Sequence, residues 1–278
     1  MTSRTSSLPL IVGGKGKTGS RVVSRLRDLG KHVRIGSRSG NPPFSWADQS
    51  TWAAALDGVD RVYVVHPDLV TAEAIAQVDA FATAAVERGV TRLVLLSGYS
   101  GEANDTLYPV EQVVVDAGAE WTIVRPSWFN QNFSEDFFMD FLDAIRGAEL
   151  AYPFGEVKIA YVDADDIAAV ATAALTEDGH NGKIYNVTGP ESLSLHDVAR
   201  ELSTATGQQV AYTPLSAGEY AARLREHGTP QEIIDAVTST ADRADESVAH
   251  DVREVLGREP ISFTQFARAT AATGIWQH

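Results

Sequence analysis

The sequence predicts an α/β fold, a parallel sheet covered by helices on both faces, and three observations predict it. Short strand-like runs recur at 8–12, 32–36, 61–65, 92–97 and 121–124. Stretches of helical character at 17–29, 48–57, 72–88 and 106–118 fall between them. The turn after the first run is rich in glycine. Strands joined through helices of this length run parallel, because only a long crossover returns the chain to the same edge of the sheet.

Taken in order, Met1–Ser7 is polar and reads as a flexible tail. Leu8–Val12 is a short buried strand, and a helix over Lys17–Leu29 follows the glycines and stops at Gly30. His32–Gly36 is the second strand and Ser37–Pro43 a loop of turn residues. Arg61–Val65, Arg92–Ser97 and Trp121–Val124 complete the regular alternation. Beyond residue 125 the pattern weakens. An aromatic-rich helix is expected over about 130–146, a helix opening near Asp163, and a strand at Lys183–Val187. A further helix starts at Ser194, where Asp197 supplies the acid of a capping box, and 216–272 reads as mostly helical.

Composition bounds what such a fold can do. The 278 residues carry a net charge of −14, with 44% hydrophobic and 22% charged residues, the balance of a folded rather than a disordered chain. Leu8–Val12 is far too short to span a bilayer, and the absence of cysteine removes disulfides and thiolate chemistry. A cytoplasmic protein without membrane association is the expectation. Residues 1–40 hold nine basic side chains against Asp28 alone, so the remainder is more acidic than the whole. An acidic body disfavours nucleic acid, whereas a basic first unit suits a small anion. The alternative for Arg21, Arg25 and Arg27 is a solvated helix face.

The anion is identified by Val12-Gly13-Gly14-Lys15-Gly16-Lys17-Thr18-Gly19-Ser20. Glycines 13, 16 and 19, or 14, 16 and 19, give a tight turn, room for backbone to approach a pyrophosphate, and close packing of helix on strand. The helix N-terminus then aims unpaired N–H groups at phosphate. Gly16-Lys17-Thr18 mimics the end of a triphosphate-binding loop, but the glycine needed five positions earlier is Ile11, which removes the kinase or ATPase reading. The second strand ends in Gly36-Ser37-Arg38-Ser39-Gly40, and no acid lies between Asp28 and Asp48. A carboxylate for the ribose hydroxyls of NAD is therefore missing, while Arg38 and Ser37 suit the 2′-phosphate of NADP. The fold expected is a Rossmann-type doubly wound parallel sheet, with an NADP-binding domain over 8–150. The remaining strands and a small, mostly helical C-terminal substrate lobe fall in 151–278.

At this point the chain resembles the NmrA-like atypical short-chain dehydrogenase/reductases. The resemblance runs from about residue 8 to 270. It rests on Gly13–Gly19, Trp52–Asp60 leading into Val62-Tyr-Val-Val-His-Pro67, Leu93–Gly98, Glu120–Pro126 with Asn130 and Asn132, and Tyr161–Ala168. Leu175–His180 with Tyr185-Asn-Val is similar to the subgroup of triphenylmethane reductase, a bacterial quinone oxidoreductase and clavine-type dehydrogenases. The resemblance implies that Lys15, Lys17, Thr18 and the glycines hold the dinucleotide, and that His66 and Pro67 flank it. It implies that Ser97, Gly98 and Tyr99 face the nicotinamide, and that Pro126, Ser127, Trp128 and Asn130 close over its ribose.

The catalytic chemistry is defined partly by what is missing. Many short-chain reductases use Tyr-x-x-x-Lys, whose ammonium acidifies the tyrosine. Here Tyr108 is followed at that spacing by Gln112, which has no charge to offer. Hydride transfer still proceeds by proximity to an acceptor that is already electrophilic, with Tyr99, His66 or water as proton source. No histidine spacing suits a metal, and Asp163, Asp165 and Asp166 read as helix-capping acids. Eight of the 23 aromatic residues lie in 128–154, and Phe129, Phe133 and Phe137 recur every four residues. That spacing gives one aromatic helix face, which is either core or, with Trp128 and Tyr99, the wall of a pocket for an apolar substrate. Two functions compete: an NADPH-dependent reductase of a hydrophobic electrophile (a quinone, imine or dye-like acceptor), and a non-catalytic NADP(H) sensor with a protein partner.

Overall fold

Helices cover both faces of β1 (Pro9–Val12), and so every one of its residues is buried. The computed structural model describes residues 7–98, 108–135, 139–229, 231, 234, 235, 238 and 247–277. Leu10 and Val12 enter one apolar core, and Ile11 enters another on the opposite face. The same alternation sends Val62 and Val64 of β3 (Arg61–Val64) one way and Tyr63 the other. It recurs in β4 (Arg92–Leu96) and β5 (Glu120–Pro126). The first core is closed by α2 (Trp52–Leu56), α3 (Ala72–Glu87) and α4 (Pro109–Asp116). The second is closed by α1 (Lys17–Asp28) and the alanine-rich α6 (Ala164–Thr176), whose small side chains let it lie close under the sheet.

With β2 (Arg34–Gly36) and β8 (Lys183–Val187), the strands form one parallel sheet in the order β2-β1-β3-β4-β5-β8. Strands β2 and β3 lie on opposite sides of β1, so the connections diverge there. A crevice at the carboxyl ends of β1 and β3 is the expected ligand position.

The lobe has its own core, built from Phe133, Phe141, Tyr152, Tyr161, Phe263 and Trp276. Its helices are α5 (Phe141–Arg146), α7 (Leu195–Thr206), α8 (Ala217–Glu226) and α10 (Phe263–Ala271). Two small sheets join them: β6 (Glu149–Tyr152) beside β10 (Ala211–Pro214), and β7 (Lys158–Ile159) beside β9 (Leu193–Ser194). Between these pieces the chain returns to the main sheet to supply α6 and β8, against which α9 (Asp251–Leu256) packs.

One expectation is corrected. The continuous aromatic helix over 130–146 does not form. Asn130–Phe133 is a single 3-10 turn, and α5 starts only at Phe141, after Asp140 in the left-handed region at φ 52°. The turn is fixed from outside: Asn130 N–H donates to Val162 O (2.8 Å) and Val162 N–H to Trp128 O (2.8 Å). Tertiary pairing overrides the four-residue spacing, and Phe129 and Phe133 consequently enter different cores.

Candidate active site

The glycine turn is fixed by backbone geometry. Gly13 sits at φ +68°, where only glycine is unstrained, and its N–H donates to Gly36 O (2.9 Å). Gly16 N–H donates to Gly13 O (2.8 Å), and Gly16 then begins α1 in ordinary extended backbone. A Cβ on Gly19 would lie 2.2 Å from Gly13 O, so helix and strand meet there only because that carbon is absent. Gly14 would crowd Ile11 O and Ile35 at 3.0 Å, whereas a Cβ on Gly16 meets only Gly13 O, at 3.3 Å. Gly13, Gly14 and Gly19 therefore build the turn, and Gly16 leaves its outer surface open. Thr18 is buried, its hydroxyl accepting from Tyr63 Oη at 3.2 Å, and burial raises the Tyr63 phenol well above its usual range.

The charges of α1 are divided. Arg21 pairs with Glu135 at 2.8 Å, and Arg21 and Arg25 approach Asp165 at 3.8 and 3.7 Å, while Arg27 is exposed. The solvated-face reading thus holds for Arg27, and Arg21 and Arg25 are neutralised locally. Cations remain beside the turn: Lys15 Nζ reaches Ser39 Oγ (2.6 Å), and Lys17 Nζ reaches Asn132 Oδ1 (3.3 Å). Arg38 is exposed and its guanidinium makes no hydrogen bond or ion pair with the described residues. Ser37 O accepts from Gly40 and Phe44 N–H, folding the loop after β2, while Ser37 Oγ is buried with no partner.

The loop after β3 lies against the turn, since a Cβ on Gly13 would meet Val65 at 3.3 Å. Both nitrogens of His66 are occupied: Nδ1 accepts from Asp68 N–H (3.1 Å) and Nε2 lies 2.9 Å from Gln77 Oε1. Trp46 packs edge-on to the ring at 4.7 Å and ties its own N–H to Val65 O. His66 is therefore held within its own loop with both nitrogens occupied, which argues against the expected role as a proton donor. Pro67 beside it is exposed.

At the end of β4, Ser97 N–H donates to Val124 O (2.8 Å), and the 5% exposed side chain has an unpartnered Oγ. Gly98 follows, while Tyr99 and Phe137 lie outside the described residues. Pro126, which ends β5, is buried, and Ser127 N–H donates to Val187 O (2.9 Å). Half-buried Trp128 meets Phe154 edge-on at 5.6 Å. Asn130 is 0% exposed, yet neither its amide oxygen nor its amide nitrogen has a partner. Phe133 corrects the pocket assignment. It is 0% exposed and packs against Phe141, Tyr161 and Phe263, so it belongs to the lobe core and lines no open surface. Half-buried Phe129 packs on the sheet-side core.

Gln112 is exposed and donates to Asp116 (2.9 Å), so its amide faces solvent rather than a proton-transfer site. The adjacent residue does far more. Glu111 and Arg125, both 0% exposed, form a two-point ion pair with Nε–Oε1 2.8 Å and Nη2–Oε2 2.6 Å. The Arg125 guanidinium lies 4.6 Å from the centre of the Tyr108 ring, and Tyr108 N–H donates to Glu111 Oε2 (2.9 Å). Sequence reasoning missed this pair. Its visible trace was an acid three residues after the Tyr108 cap, with an arginine directly after the apolar Ile123 and Val124. It also missed Gln131, which donates to Asp163 Oδ1 (3.0 Å) and accepts from Ala164 N–H (2.8 Å). Asp163 caps α6 as expected, and among the described residues no cluster of His, Asp and Glu could hold a metal.

The model of the NmrA-like family matches residues 44–267, four fifths of the chain, without using the glycine turn. The chain belongs to the NmrA-like family. This NmrA-like protein is 34% identical to an NAD(P)H azoreductase of Xenophilus azovorans, with 95% of this chain and 98% of that one aligned. It is 31% identical to an agroclavine dehydrogenase of Claviceps fusiformis over 92% of this chain and 95% of that one. In three dimensions it resembles an NADPH-dependent quinone oxidoreductase from Escherichia coli solved with NADPH. There the TM-score is 0.78 at 22% identity, covering 94% and 99% of the two chains. No helix of the described residues is long and apolar enough to cross a membrane.

Proposed function

We propose that this NmrA-like protein is an NADPH-dependent reductase that passes hydride to a hydrophobic, electrophilic small molecule: a quinone, an imine or iminium, or a conjugated dye-like acceptor. The observation that carries the reading is a set of unsatisfied polar groups along the carboxyl edge of the parallel sheet. Ser37 Oγ, Ser97 Oγ and both amide atoms of Asn130 are buried without partners, in the segments following β2, β4 and β5. Each such group costs about 1–3 kcal/mol when left unpaired, so a bound group or ordered water is needed to complete it, and a dinucleotide along this edge would do so. Its reductase relatives support the same reading.

The residues fit the dinucleotide. Gly16 and the first N–H groups of α1 would take the pyrophosphate, and Arg38 with Ser37 the 2′-phosphate. Pro126–Asn130 would cover the nicotinamide end, which supplies the hydride. Trp128 offers an apolar edge to the acceptor. Among the described residues, neither neighbour of Tyr108 is placed to move a proton, because Gln112 is turned to solvent and Glu111 is spent on Arg125. The acceptor must therefore be reducible without strong acid assistance, and Tyr99 or water supplies a proton where one is needed.

A screen of NADPH oxidation over quinones, imines, azo compounds and triarylmethane dyes tests the proposal. Turnover of at least one class is expected. Tight NADPH binding with no turnover on any class would favour the non-catalytic sensor. NADPH is expected to bind at least about tenfold more tightly than NADH, roughly 1.4 kcal/mol, and Arg38→Ala to erase most of that gap. Fluorescence titration of both cofactors checks this, and equal affinities in the unaltered protein would refute the NADP assignment. On the acceptor found, Tyr108→Phe is expected to lower kcat/KM less than about tenfold, since general acid catalysis normally supplies roughly 10²–10⁴. Trp128→Ala should cost more, mainly in KM. A hundredfold loss in Tyr108→Phe with normal cofactor binding would restore tyrosine acid–base chemistry.

A further inference from the structure

The lobe contains a cavity away from the glycine turn. It measures about 380 Å3 and lies between α5, β6 and α8. Its apolar lining includes Met139, Ala144, Tyr152 and Leu224, with charged groups at its border. Tyr220, in its wall, is the informative residue. It is only 4% exposed, and its hydroxyl forms no hydrogen bond with any described residue, although the neighbouring Tyr152 hydroxyl is satisfied by Met139 O at 2.6 Å. Burial raises the Tyr220 phenol to about 12, so it remains a neutral donor and acceptor at all ordinary pH. A phenol whose ring is buried and whose hydroxyl opens on a cavity has the character of a ligand contact.

Two exposed side chains of opposite charge at the cavity also have no protein partner. Asp140 begins α5 without capping it, and its carboxylate has no hydrogen bond or ion pair among the described residues. Arg223 of α8 has no partner for its guanidinium either. The other acids are occupied: Asp143 pairs with Arg146 at 3.2 Å, and Glu149 accepts from Thr213 at 2.7 Å. His227 Nδ1 lies 2.7 Å from Arg223 O. An exposed carboxylate, an exposed guanidinium and the Tyr220 phenol thus border a cavity whose buried lining includes Met139 and Tyr152.

We infer that this lobe cavity is a second ligand site, separate from the dinucleotide crevice, for a small zwitterion with an apolar arm, of the α-amino acid class. Asp140 takes the ammonium, Arg223 the carboxylate, and Tyr220 hydrogen-bonds the ligand beside the apolar floor. The site reports to the crevice through packed rings: Tyr220 on Tyr152 (5.6 Å), Tyr152 on Phe141 (4.5 Å), and Phe141 on Phe133 (4.6 Å), which ends the turn bearing Asn130.

Calorimetric titration of the full chain with L-leucine, 4-methylpentanoate and 3-methylbutylamine tests the assignment, the last two each lacking one charge. L-leucine is expected to bind at about millimolar concentration or better, with each single-charge analogue at least about tenfold weaker. Tyr220→Phe and Arg223→Gln should each weaken L-leucine about tenfold while leaving NADPH affinity unchanged. The Tyr220 hydroxyl opens on the cavity and makes no hydrogen bond with the described residues, so Tyr220→Phe should also keep its melting temperature. No heat from L-leucine at ~10 mM, equal binding of an analogue, insensitivity to both substitutions, or competition with NADPH would each overturn the site.

Discussion

Gly16→Val is expected to weaken NADPH binding by about a hundredfold or more, roughly 2.7 kcal/mol, with little change in melting temperature. The contrast comes from where each missing Cβ would go. Gly16 has φ −83° and ψ 180°, open to any residue, and a Cβ there meets one backbone oxygen at 3.3 Å. The valine methyls would instead fill the space from which backbone N–H groups reach phosphate. Gly19→Ala makes the opposite case, because a Cβ 2.2 Å from Gly13 O must push α1 off β1. It should lose stability and binding together. Fluorescence titration of NADPH alongside thermal unfolding separates the two. Near-normal binding by a folded Gly16→Val would place the cofactor elsewhere.

Glu111→Ala is expected to be the most destabilising single change at the site. It leaves the Arg125 guanidinium, itself 0% exposed, without its two-point partner beneath Tyr108. Breaking a buried pair from one side costs about 3–5 kcal/mol, which for a chain of this size lowers the melting temperature by roughly 10 °C or prevents folding. Replacing both members, Glu111→Met with Arg125→Met, should be milder than Glu111→Ala, because no buried charge is then stranded. Thermal unfolding of the single and double variants decides. A double variant less stable than Glu111→Ala would show that the arginine is retained for its other contacts.

The sheet and the phosphate turn were legible because local chemistry dictates them. Alternate burial of Leu10, Ile11 and Val12 follows from the period of a strand, and a turn that must admit backbone between two elements requires glycine wherever it stands in the chain. The capping acids at Asp163 and Asp197 were equally readable, since a cap is satisfied within three residues.

Fold class, glycine turn and the lack of an acid that would have favoured NAD are each a property of residues adjacent in the chain. The remaining features came from packing between distant segments. Phe129 and Phe133, spaced for one helix face, were separated when Val162 captured the backbone on either side of Phe129. His66 looked available until Asp68 and Gln77 took both its nitrogens. Arg125 found Glu111 from a different element, and Asn130 was enclosed without partners by segments far apart in the chain. Pairings of this kind depend on which polar groups the packing brings together and which it leaves unsatisfied. The order of residues carries that information only through the completed fold.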